Sequence, residues 1–134
     1  MAVQEILRTH PRAPVADQEA LVRCIEQCFA CAATCTVCAD ACLAEASVQD
    51  LVRCIRLDVD CADICAATGN VLTRQTETDA ELVRAIVHAC AVACGRCAEE
   101  CETHADHHEH CRVCAEECRR CEQACEDVLS ALGT

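Results

Sequence analysis

Residues 24–42 read CIEQCFACAATCTVCADAC, six cysteines among nineteen residues at spacings of 4, 3, 4, 3 and 4. On an α-helix that alternation holds every sulfur on one face, the face that leucine ordinarily gives to a bundle core. Three further runs repeat it. Cys54, Cys61 and Cys65 form the second, with Asp58 where another in-phase thiol would fall. Cys90, Cys94, Cys97 and Cys101 form the third, and Cys111, Cys114, Cys118, Cys121 and Cys125 the fourth.

Helix boundary signals bracket the same runs. Pro11 and Pro14 set off a short helical segment at about residues 2–10. Asp17 then opens a helix to about residue 45. Ser47 with Asp50 resembles a capping box and starts a second helix to about residue 72, which Gly69-Asn70 frays. Thr78–Glu81 (TDAE) caps a third to about residue 105, and Asp106–Glu109 (DHHE) caps a fourth that runs to Gly133. Short links make neighbours antiparallel. The predicted fold is all-α: an antiparallel up-down four-helix bundle with a cysteine-lined core, residues 1–16 forming an N-terminal segment and 17–134 the bundle.

In that arrangement the two ends of the sulfur column differ. Leu21, Leu72, Val83, Val87, Val128 and Leu132 fall together as an aliphatic plug. At the opposite end the third stripe extends to His104 and then His108, near Cys42 and Cys111. His107 and His110 fall out of phase and read as exposed, and His88 and His10 have no supporting pattern. A second apolar stripe (Val48, Val52, Ile55, Val59, Ala62), with Val22, Ile25 and Phe29 on the first helix, reads as flank packing ahead of subunit contact. Asp58, being buried, needs a partner: a metal, a histidine, or an arginine at the helix edge.

Composition narrows the chemistry. Eighteen of 134 residues are cysteine, Phe29 is the one aromatic, and 29 residues are Leu, Ile, Val, Met or Phe. Thiols must therefore fill much of the core, which a protonated thiol does as a small hydrophobe. A net charge of −12, with no basic run and almost no aromatics, excludes nucleic acid as a partner. The first twenty residues carry no apolar signal core and no twin arginine, and nowhere do eighteen apolar residues follow one another. The expectation is a cytosolic chain with no membrane partner and with reduced thiols.

Disulfides fit poorly, because helical neighbours three or four apart have Cβ atoms about 5–6 Å apart where a bridge needs about 3.8 Å. CIEQCFAC and CAVACGRC match the C-x3-C-x2-C iron–sulfur motif of radical-SAM enzymes. Alternating spacing generates that motif automatically, though, and the chain lacks the α/β partial barrel those enzymes need. Zinc takes about four thiolates per ion and leaves buried negative charge. Copper(I) is soft and monovalent, is held by two sulfurs, and allows one sulfur to bridge two metals. Each Cu(I) replaces one proton, so the buried column stays neutral. Charge and geometry favour Cu(I), with a zinc or general heavy-metal buffer as the alternative.

The repeated C-x3-C-x2-C-x3-C ladder on four helices, over residues 17–132, resembles the four-helix-bundle copper storage proteins, in their cytosolic branch. The resemblance implies that all eighteen cysteines are ligands for several Cu(I) ions and that the bundles assemble as homotetramers. Exported relatives carry methionines at the open mouth. Here the sole methionine is Met1, so His104 and His108 are expected to admit or hold copper there. A copper chaperone is the expected donor. With no nucleophile–base–oxyanion set and no phosphate loop, no catalysis is expected.

Overall fold

The computed structural model describes residues 2–132. Helix α1 covers Ala2–Thr9, α2 Gln18–Leu43, α3 Val52–Thr73, α4 Ala80–His104 and α5 Glu109–Leu132, with a 3-10 turn at Val48–Leu51 ahead of α3. There is no strand among the described residues. The four long helices pack in a square, each against its neighbours in sequence, with α5 closing back onto α2.

Sulfur pairing shows the directions. Across α2 and α5, Cys24 meets Cys125, Cys28 meets Cys121 and Cys31 meets Cys118, one number rising as the other falls. Cys54–Cys101, Cys61–Cys94 and Cys65–Cys90 do the same across α3 and α4. Along the diagonal, Cys28–Cys90 and Cys35–Cys97 keep one offset, so α2 and α4 run parallel. This is the antiparallel up-down bundle that the spacing predicts.

The helix starts depart from expectation in detail. Asp17 caps α2 as read, its Oδ2 accepting from the Ala20 amide at 3.1 Å. Ser47 makes no capping bond; the chain winds a 3-10 turn first, and the Ser47 hydroxyl lies 3.5 Å from His108 Nε2 instead. Asp79, one residue beyond Thr78, caps α4 by accepting from the Leu82 amide at 3.0 Å. Asp106 lies in the turn before α5, where the His108 carbonyl accepts from the Cys111 and Arg112 amides. Gly69-Asn70 does not fray α3, which runs on to Thr73. Gly133 lies outside the described residues.

The plug forms as expected from Leu21, Leu72, Val83, Val87 and Val128, all buried, while Leu132 is only half-buried against it. Gln75 adds a lock there. Its Oε1 accepts from the Val15 amide at 2.7 Å and its Nε2 donates to the Leu72 carbonyl at 2.8 Å. Val22 and Ile25 are buried on the flank of α2, but Val52 and Val59 stand 64% and 44% exposed. The second apolar stripe is therefore not wholly consumed inside the bundle. Helix α2 is long and apolar enough to cross a membrane by length and composition, yet its inward residues are the core of the bundle.

Candidate metal centre

All eighteen cysteines are free thiols and all are buried. They form a continuous column, because α3 and its three partners each turn a 3/4 stripe toward the axis. From the end of the 3-10 turn along α3 the stripe runs Leu51, Cys54, Asp58, Cys61, Cys65, Thr68, Leu72, every member 0% exposed. Sulfurs approach one another at 3.5 Å for Cys35–Cys118 and 4.0 Å for Cys31–Cys61. Four thiolates about 2.3 Å from one tetrahedral metal would stand about 3.8 Å apart, so these contacts are compatible with a shared metal.

At least four groups of sulfurs, with all members of each within 4.8 Å of one another, follow in register along the axis. Cys28, Cys90, Cys121 and Cys125 form one; Cys31, Cys65, Cys94 and Cys121 the next. Then come Cys31, Cys35, Cys61 and Cys118, and Cys35, Cys97, Cys114 and Cys118. Cys121, Cys31, Cys35 and Cys118 each belong to two groups. Adjacent sites therefore share sulfurs.

In the metal-free column the thiols hydrogen-bond to one another, and their acidities split accordingly. Hydrogen bonds from Cys101 and Cys38 push Cys54 down, whereas Cys101 is pushed up by its bonds with Cys114, Cys38 and Cys54. Burial pushes Cys42 up to about 11. A metal entering such a network displaces protons that the sulfurs already share.

Asp58 sits inside the column with neither arginine nor histidine as its partner. Its Oδ1 accepts from Cys97 at 3.0 Å, Cys114 at 3.3 Å and Cys101 at 3.6 Å. The buried Oδ2 has no partner. Burial, and then the charge of the neighbouring Cys114 sulfur, raise its carboxyl from 3.8 to about 8. The edge arginines are engaged elsewhere, Arg53 with Glu100 at 3.4 Å and Arg56 with Asp60 at 2.9 Å.

Four of the six histidines, His104, His107, His108 and His110, gather at one end, though not in the order phase suggests. His110, read from phase as exposed, is half-buried against sulfur, its Nδ1 3.5 Å from Cys38 Sγ and 3.6 Å from Cys111 Sγ. With Cys38, Cys42 and Cys111 it completes a mixed group within 4.8 Å. The Glu45 carboxylate holds the opposite ring nitrogen at 2.9 Å and reaches His108 Nδ1 at 3.0 Å. Those two rings stack 5.5 Å apart. His104 Nε2 meets Glu100 Oε2 at 2.9 Å. His107 and His88 are exposed. Phase misplaced His110 because the Ala105–His108 turn, not a helix, sets the approach of α5. Leu51 was also missed, although counting back three from Cys54 finds it.

A strand-free bundle with a column of overlapping thiol groups and a histidine at one end defines a protein built to hold many soft metal ions. The family model for copper storage proteins (Csp) matches residues 17–130, and the chain belongs to that family. Its structure is similar to that of the copper storage protein Ccsp of Streptomyces lividans loaded with ten copper equivalents. That match has 56% identity and a TM-score of 0.94 over 97% of this chain and 99% of that one. It is also similar to the five-copper structure of the cytosolic protein from the same organism, at 59% identity and TM-score 0.85 over 86% of this chain and 96% of that one. A cysteine-rich protein of Bacillus subtilis strain 168, YhjQ, is 40% identical over 92 residues, which is 69% of this chain and 80% of that protein.

Proposed function

We propose that this chain stores copper as Cu(I), bound by its eighteen cysteine thiolates in the bundle core and without catalysis. The overlap of neighbouring thiol groups carries this reading. Cys31, Cys35, Cys118 and Cys121 each serve two groups, as bridging thiolates do around Cu(I). One Cu(I) per thiolate cancels charge in a column sealed from water, whereas tetrathiolate zinc would leave it strongly negative.

His110 binds copper through Nδ1, together with Cys38, Cys42 and Cys111. His104 and His108, held by Glu100 and Glu45, admit or hold copper at that end. Asp58 gives its free Oδ2 to a proton or a metal within the column. The family's cytosolic member supports a cytoplasmic location, with a copper chaperone as donor. The exposed Val52 and Val59 support a homotetramer that covers them.

Sulfur spacing alone also fits zinc, so competition separates the two readings. Reduced, metal-free protein offered Zn(II) and Cu(I) together should take up Cu(I) and release any zinc. Retention of a few zinc ions per chain against excess Cu(I) would make the protein a zinc buffer.

A further inference from the structure

At the plug end the helix tips are covered. Leu21 lies in the first turn of α2 and Leu72 one residue from the end of α3, yet both are 0% exposed. Ala16, from the link between α1 and α2, joins the same buried cluster, and Val15 packs against it. Gln75 holds that link down. It is the one buried residue of the turn between α3 and α4, and its side chain ties the Val15 amide to the carbonyl of Leu72, itself part of the plug. The same turn passes through Glu77 at φ 54°, a left-handed backbone that non-glycine residues rarely hold and that strains the turn. Helix α1 is the outer anchor. Eight residues make no stable helix alone in water, so this one depends on docking through Leu7, 7% exposed. Val22 lies two residues before Cys24, about 200° around α2 from it, and is buried where Gln4 and Arg8 of α1 come alongside.

We propose that residues 2–16 are a strap over the closed end of the column, latched by Gln75, and that this strap shields Cys24 and Cys125 from solvent. Those two sulfurs, 3.8 Å apart, are the last before the plug. Leu21 precedes Cys24 by three residues and Val128 follows Cys125 by three, so one aliphatic layer separates the pair from the strap. With the latch open the link lifts, Leu21 and Leu72 meet water, and only that layer keeps small ligands from the terminal sulfurs. Few contacts hold the strap, and segments so held open locally without unfolding the rest. For copper the proposal rests on the storage reading: a latched strap keeps ions at Cys24 and Cys125 from being stripped by ligand exchange. The ligand set itself is untouched, since neither position 75 nor residues 2–16 supply a cysteine.

The first test needs no metal. Reduced, metal-free wild type, Gln75→Ala and Leu7→Asp are treated briefly with iodoacetamide, and each thiol is read by peptide mass spectrometry. In both variants Cys24 and Cys125 should be alkylated about fivefold faster or more, as loss of a buried hydrogen bond or anchor eases local opening. Cys42 and Cys111, at the far end, should keep their wild-type rates. Thr76→Ala, at an exposed position in the same turn, should leave all four unchanged. Wild-type rates at Cys24 and Cys125 overturn the strap, and so does an equal rise at all four thiols, which marks general loosening. Either variant decides alone if the other does not fold. The second test follows loss of copper from loaded protein to bathocuproine disulfonate. Initial loss should quicken by a similar factor in the latch variants with capacity unchanged, and a wild-type loss rate overturns the role in retention. A wild-type chain that takes up no Cu(I) overturns the storage reading, from which the alkylation result stands apart.

Discussion

Asp58 stands between Cys54 and Cys61 on the inward stripe of α3, and what it meets there is sulfur. Its carboxyl, raised from 3.8 to about 8 by burial, stays protonated in the folded chain at pH values where the unfolded chain has ionised it. Between those limits the folded state binds the extra proton, so stability of the metal-free protein falls as pH rises from about 4 to about 8. Asp58→Asn should flatten that dependence, measured as denaturation midpoints across the range. An unchanged slope would show that the group does not titrate as its surroundings require. The position of Asp58 was legible from its phase. Its partners were not, because they come from α4 and α5, and helix crossing decides which thiols reach it. His110 shows the converse, a residue off its own helix's stripe that reaches the column because a turn re-aims α5.

At the scale of the helix, the signals that survive folding are those tied to burial. The 3/4 cysteine stripes appear as read, because they are the faces that α2, α3, α4 and α5 turn to the bundle axis, with Val22 and Ile25 adding only flank packing. Caps were less legible, since a side chain one residue away can satisfy the same amide, as Asp79 does in place of Thr78. The two helical glycines separate packing from propensity. A Cβ at Gly69 would stand 2.9 Å from the Phe29 ring, which has no free end to swing aside, so Gly69→Ala should cost about 1–3 kcal/mol. At Gly95 the nearest atom is Glu122 Oε2 at 2.6 Å, the tip of a surface carboxylate. Gly95→Ala should therefore gain up to about 1 kcal/mol of helix propensity. Thermal melts of the metal-free protein should move in opposite directions for the two variants. A rise for Gly69→Ala as well would remove the role assigned to Phe29.

For the whole molecule, the core and the cargo site are the same atoms. Thiols pack as small hydrophobes before metal arrives, and Leu21, Leu51, Leu72, Val87 and Val128 close the column at its ends. The reduced, metal-free chain should thus keep its helical circular dichroism, unlike a zinc finger that folds on its metal; loss of most of that signal would contradict a preformed site. An anaerobic titration of fully reduced protein with Cu(I), its thiols counted beforehand and free copper reported by a competing chelator, tests the central claim most directly. The overlapping thiol groups predict a break near one copper per cysteine, about eighteen per chain. Saturation at about a quarter of that would mean isolated tetrahedral sites and would contradict a column of shared thiolates.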